Sequence, residues 1–131
     1  MMTFDEFKKA EIKIGTILSA EKVPDSDKLI KFMIDLGPKS VVLKEEPALD
    51  IVEPVVVPEP EQDVRQILSG IAAYYPDPSV LIGKQVPVLA NLPVRTIRGL
   101  ESQGMVLYAV GEGFLTTVGP DHQIPSGTPV R

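Results

Sequence analysis

Residues 29–36 alternate strictly, with Ile30, Phe32, Ile34 and Leu36 on one side and Lys31, Met33 and Asp35 on the other. A period of two sends successive side chains to opposite faces of a strand, so this segment reads as a half-buried β-strand with a mixed outer face. Turn chemistry precedes it at Val23-Pro24-Asp25-Ser26-Asp27. Other short runs repeat the theme. Ile12, Ile14 and Leu18 mark a first strand over 11–20, and Gly15 within it signals a bulge or a close backbone approach. Residues 65–71 read as a third strand with Ile67, Ser69 and Ile71 on one face, residues 85–92 as a fourth, and 104–110 as a fifth. A last short strand at 114–118 precedes a tail rich in Pro and Gly.

Helix signals are few. Thr3 and Glu6 have the spacing of a capping box, which predicts a short opening helix over 4–9. Short helical turns are expected at 72–75 and 79–82, on either side of Pro76-Asp77-Pro78. Several short strands with turns between them and one interposed helical patch suggest a small closed barrel. At 131 residues the chain suits one domain with a single core. It has no Cys, which removes disulfides and zinc-thiolate sites together. No stretch is long and apolar enough for a membrane helix, and the first residues lack the pattern of a secretory signal, so a cytoplasmic protein is expected.

The net charge is −5, which at first sight disfavours a polyanionic partner. Its distribution changes that reading. Residues 39–64 hold two basic residues and seven acidic ones, so this segment carries the whole excess. The remainder is balanced, and a neutral domain can still present a basic face. The same segment contains Pro47, Pro54, Pro58 and Pro60 between the β-branched runs Val41-Val42 and Val55-Val56-Val57. It reads either as a hairpin arm extending the second and third strands or as an extended loop of polyproline type.

Catalytic chemistry is hard to assemble. His122, the only histidine, lies in the tail and reads as an exposed loop residue. Asp25 and Asp27 lack the further ligands of a calcium loop, and Gly111-Glu112-Gly113 lacks the lysine of a phosphate loop. A non-enzyme without cofactor or metal is expected.

Binding chemistry is richer. Lys28 and Lys31 lie at or beside the second strand, Arg65 begins the third, and Arg95 and Arg98 fall between the fourth and fifth. A closed barrel could gather these cations on one electropositive surface. Asn91 ends a buried strand, either to bond a ribose or base or to bond its own turn. Ser102 and Met105 flank Gly104, where a phosphate could approach; Met105 either lies against a base or fills the barrel mouth. The charged side shows no clear aromatic, since Phe32 points to the core and Tyr74, Tyr75 and Tyr108 are not obviously on it. Serial base stacking is therefore poor, and recognition of a folded RNA by shape and backbone is favoured.

Taken in order, Lys28-Leu29, Arg65-Gln66-Ile67-Leu68-Ser69-Gly70-Ile71, Ala90-Asn91-Leu92-Pro93 and Ile97-Arg98-Gly99-Leu100-Glu101-Ser102-Gln103-Gly104-Met105 resemble the tRNA-binding domain family. That family includes the C-terminal domain of many methionyl-tRNA synthetases and small free-standing tRNA-binding proteins. The resemblance runs from Thr3 to Arg131, with 39–64 as an acidic Pro-rich insertion in a single domain. It implies an all-β fold, a five-stranded OB-fold barrel with a short N-terminal helix, a small helical patch and a C-terminal extension. It further implies tRNA contact through Asn91, Arg98, Ser102 and Met105, with Ser69 either a contact or structural. A methionyl-tRNA synthetase chain or domain is the implied partner. So is a homodimer through residues 114–131, where Val118, Ile124 and Val130 supply apolar contact. A branch of dimeric export chaperones shares the fold and would bind peptides in an apolar groove; its loop differs at Arg98, Ser102, Gly104 and Met105. In a third reading, the acidic segment docks a basic protein.

Overall fold

The computed structural model describes residues 1–38 and 62–131. Helix α1 (Phe4–Phe7) is capped by Thr3, whose hydroxyl accepts from the Glu6 amide at 3.2 Å. It is a single turn, shorter than the capping signal suggested, because the chain must extend at Ile12 to enter β1 (Ile12–Lys22). Then follow β2 (Ile30–Pro38), β3 (Gln62–Ser69), a 3-10 turn at Pro78–Leu81 and β4 (Gln85–Leu89). The segment 39–61 lies outside the described residues, and with it the choice between hairpin arm and loop. Its expected last residues, 62–64, belong to β3, where Asp35 pairs with Val64.

These strands belong to one six-stranded antiparallel sheet in the order β3-β2-β1-β4-β7, where β7 is Met105–Val106 and the sixth strand joins β1 from the tail. Strand β1 serves both halves. Its first residues pair with β4 (Ile14 opposite Pro87), and its later ones pair with β2 (Ala20 opposite Phe32). The register slips between Ile17 and Ser19, a bulge that bends the strand and curls the sheet. It also shifts the alternation, so that Ile17 is buried and Leu18 faces out. Gly15 sits where the bend brings strands together: a Cβ there would collide with the Ile34 and Leu36 side chains.

The inner face is the apolar set that the alternation predicts. Ile30, Phe32, Ile34, Ile67, Val86 and Val88 have no measurable exposure, and Leu81 from the 3-10 turn is buried with them. Burying side chains of this kind contributes roughly 1.5–3 kcal/mol each. The fold is an all-β, OB-like barrel.

Strand β3 leaves an edge that β6 (Leu100–Ser102) and the following turn cover with side-chain and main-chain bonds. The Leu68 amide donates to Ser102 Oγ at 3.1 Å, the Gln66 amide to Gln103 Oε1 at 3.0 Å, and the Gln103 amide to the Gln66 carbonyl at 2.8 Å. These bonds satisfy edge groups that would otherwise be open to a foreign strand.

The region between β4 and β7, expected as a basic loop, is a short hairpin of β5 (Arg95–Ile97) and β6. Its two-residue turn is Arg98-Gly99, with φ of 53° and 78°. Positive φ at both positions matches the right-handed twist of a tight hairpin. The expected fifth strand is divided: β7 pairs with β4 at the far end of the curled sheet, while β8 (Tyr108–Gly111) pairs with β9 (Phe114–Thr117) in a separate hairpin. The tail then returns to β1 through β10 (Pro129–Val130). It is pinned on the way, with the Gly127 amide on the Ile14 carbonyl at 2.7 Å and the Ile124 amide on Gln85 Oε1 at 3.0 Å.

Candidate nucleic-acid interface

Four residues singled out in the sequence line one concavity. Ser69, at the end of β3, Arg95 on the hairpin, and Ser102 and Met105 around Gly104 share a cavity of 250 Å³.

 Its remaining walls come from Leu68, Ile71, Leu92, Pro93, Val106 and Tyr108. Arg98, at the turn of the hairpin, is exposed and is not among the residues that line the cavity. Lys28, also exposed and not a lining residue, is tied through its carbonyl to the amide of Ala72, the residue after Ile71, at 3.0 Å.

The polar atoms at the base of this cavity have defined partners. Tyr108 Oη donates to Ser69 Oγ at 2.8 Å. Burial pushes the Tyr108 phenol up to about 12, so it remains a donor at neutral pH. Ser102 Oγ accepts the Leu68 amide and donates to the Gly104 carbonyl at 3.2 Å, which uses its hydrogen inside the fold. Gly104 suits a tight site, since a Cβ would come within 3.2 Å of the Leu89 carbonyl and 3.3 Å of the Ile67 side chain.

Other expected contacts are placed differently. Arg65 does not contribute a free cation. Its partner across the sheet is Ile34, so the side chain enters the barrel rather than facing out. There Nη1 donates to the Ala90 and Gln103 carbonyls, and Nε and Nη2 grip Asp63. Asn91 is turned to the N-terminal segment, where Oδ1 accepts the Glu11 amide at 2.9 Å and Nδ2 donates to the Lys9 carbonyl. Both amide functions are thus used in holding the start of β1. Lys31 is on the outer face of β2, half-exposed, with Nζ 3.7 Å from Glu21. The structure therefore brings Ser69, Arg95, Ser102 and Met105 together, leaves Arg98 and Lys28 exposed outside the cavity lining, and assigns Arg65 and Asn91 to the scaffold.

The sequence reading missed Tyr108, which lines the cavity rather than lying away from the charged side. In one continuous strand Met105 and Tyr108 would face opposite sides; the break between β7 and β8 is what lets both line the cavity. Leu92, Pro93 and Ile97 were also missed as wall residues, although all three belong to motifs already noted.

A curled, OB-like β-barrel with loops and a hairpin over one end is the plan of a class of oligonucleotide- and oligosaccharide-binding modules. The chain belongs to the family described as "Putative tRNA binding domain", whose pattern matches residues 43–129. It is 39% identical over 131 residues to a methionine–tRNA ligase of Methanosphaerula palustris, covering all of this chain and 16% of that enzyme. The chain thus spans a minor part of the length of the curated relatives it matches. Among solved structures, a MetRS-related protein from Pyrococcus horikoshii superposes with a TM-score of 0.76 at 29% identity, over 100% of this chain and 98% of that one. The chaperone CsaA from Bacillus anthracis superposes with a TM-score of 0.73 at 26% identity, over 100% and 99%. No helix among the described residues is long and apolar enough to cross a membrane.

Proposed function

We propose that this domain binds structured tRNA largely by shape and backbone, without catalysis of its own, and assists a methionyl-tRNA synthetase chain or domain. The observation that carries the reading is the basic hairpin: Arg95 beside the cavity and Arg98 at the turn, in a chain of the tRNA-binding family. Phosphate contacts position a protein on RNA, and the hairpin offers them from a rigid two-stranded support. Lys28 and Lys31 extend the cationic surface along β2, and Ser69, Ser102 and Met105 contribute the floor and lip of the cavity. Arg65 and Asn91 contribute indirectly, by holding the strands from which these groups project. Joined to a synthetase, such a module raises the effective concentration of tRNA near the enzyme without touching the chemistry.

Titration of bulk tRNA at two salt concentrations, with the native chain and with Arg98→Ala, tests this. Affinity is expected to fall steeply with salt, and the variant is expected to bind more weakly with a shallower salt slope, by roughly one unit. Salt-independent binding, or none, refutes the reading.

A second reading, a dimeric peptide-binding module, draws on the likeness to CsaA and on an apolar groove among Phe4, Phe7, Ile12, Pro129 and Val130. Peptide binding that persists without tRNA binding would favour it. In either case the C-terminal extension is the proposed dimer contact, with Val118 and Val130 exposed and Ile124 half-buried beside Gln85. A monomeric mass by light scattering at tens of micromolar refutes that contact.

A further inference from the structure

We propose that the cavity beneath the β5–β6 hairpin receives one unstacked nucleobase of the bound RNA, with the Ser69 hydroxyl donating to its edge. This rests on the tRNA-binding reading and adds a base-holding subsite to it.

Size comes first. At 250 Å³ the cavity falls below the roughly 300–1,000 Å³ typical of sites for drug-sized ligands, which leaves room for a single ring system. Its walls suit a flat ring. Leu92, Pro93, Met105 and Val106 all line it, and apolar surfaces of this kind can cover the faces of a base. Met105 is 45% exposed, so its thioether is available at the lip and is not consumed by the core.

The polar groups are limited in number and unequal in availability. Ser102 Oγ has given its hydrogen to the Gly104 carbonyl. Tyr108 Oη has given its own to Ser69. Ser69 Oγ accepts that bond and has no acceptor for its hydrogen among the described residues. A buried hydroxyl with an unused proton is a donor in search of a partner. A base offers carbonyl oxygens and ring nitrogens at the edge of a flat ring, which fits one donor at the end of an apolar slot. Arg95 at the side brings a guanidinium to the adjoining phosphate or to the ring face.

One slot also suits a surface with few other aromatics. Successive bases have no row of platforms to stack on, but a single base can be held. Extruding a base from a helix costs a few kcal/mol, least where it is already unstacked. The slot therefore selects a loop or an unpaired end within an otherwise folded RNA.

Methyl NMR reads this directly. The chain has four methionines, and Met105 is the one at the cavity, with Met33 on the outer face of β2 as an internal reference. With methyl-labelled full-length chain, bulk tRNA is expected to move the Met105 methyl upfield through the ring current of the base, and Met33 less. Heparin, a polyanion without bases, is expected to leave it in place. Repeating the titration with tRNA trimmed of its single-stranded 3′ end distinguishes the sources: a shift that survives puts the base in a loop, and one that vanishes puts it at the 3′ end. Either supports the slot. In parallel, Ser69→Ala should lower tRNA affinity about three- to tenfold, and Tyr108→Phe should do less, because it leaves the serine proton in place. Equal losses would mean that Ser69 serves only as the acceptor for Tyr108, and would overturn its assigned role.

Salt-dependent tRNA binding sensitive to Arg98→Ala, with Met105 unmoved or moved equally by heparin, would overturn the slot and leave the tRNA reading standing. Absence of any tRNA binding would remove both. Movement of Met105 by an apolar peptide, and not by tRNA, would give the cavity to a peptide side chain instead.

Discussion

Replacing Arg65 by lysine keeps the charge and removes the planar fork, which separates a phosphate contact from a strap inside the barrel. In the structure Nη1 donates to the Ala90 carbonyl at 2.5 Å and to the Gln103 carbonyl at 3.1 Å. Nε and Nη2 reach the two Asp63 oxygens at 3.2 and 3.1 Å. The side chains are only 25% and 16% exposed, so water screens this cluster in part and cannot fully replace a lost bond. A lysine ammonium can reach Asp63 or one of the carbonyls, but not all of them together. A hydrogen bond to a charged group contributes about 1.5–3 kcal/mol. Losing one carbonyl bond and weakening another puts the expected loss near 2–4 kcal/mol, out of a total stability on the order of 5–15 kcal/mol. For a domain of this size that lowers the unfolding midpoint by about 8–16 °C.

Thermal unfolding followed by circular dichroism measures the loss, and tRNA titration well below the midpoint measures binding. Arg65→Met completes the test by removing the charge. If Arg65 is a strap, the salt slope of tRNA binding stays as it was in both variants. A midpoint unchanged by Arg65→Lys, together with a slope about one unit shallower in Arg65→Met, would refute the reasoning and restore Arg65 as a phosphate contact.

Three further outcomes are expected. Ser102→Ala strips the Leu68 amide of its acceptor on the β3 edge, and should destabilise the fold by about 1–3 kcal/mol in urea denaturation while tRNA affinity stays within a few-fold. Arg98→Asn places at the first turn position a residue that tolerates its φ of 53°, and should raise stability by roughly 0.5–1 kcal/mol while weakening tRNA binding, so that midpoint and affinity move in opposite directions. The Tyr108 phenol is raised from 10.0 to about 12 in the fold, chiefly by burial, so the stability tied to its neutral form is complete below the unfolded value. It should fade as pH climbs from about 10 towards 12, at up to about 1.4 kcal/mol per unit, and Tyr108→Phe should flatten that decline in alkaline denaturation.

The barrel was readable because burial follows periodicity. Ile30, Phe32, Ile34 and Leu36 had to share a face, and their pairing with Ile67 and Ser69 on β3 follows from the same alternation. Breaks in the period were less readable. The bulge after Ile17 exchanges Leu18 for its neighbour, and the division of 104–110 into β7 and β8 turns the chain from the barrel into a second hairpin. Neither has a strong local signature, since both depend on where strands distant in sequence must meet.

The site divides along the same line. A cation or an amide in the sequence states what it can bond, not what already bonds it. Arg65, Asn91 and Ser102 have the chemistry to hold RNA, yet each spends that chemistry within the fold: on the Ala90 and Gln103 carbonyls, on the Lys9–Glu11 backbone, and on Leu68 and Gly104. Arg95 and Arg98 differ because the hairpin and its tight turn hold them clear of such partners among the described residues, and Met105, on β7, is left 45% exposed. The turn explains why a bulky residue is kept at a positive φ. A glycine or asparagine would form the hairpin more easily, so the arginine at its tip works against local stability. Under the proposed function that cost holds a charge out to RNA, and the Arg98→Asn exchange of affinity for stability tests both at once.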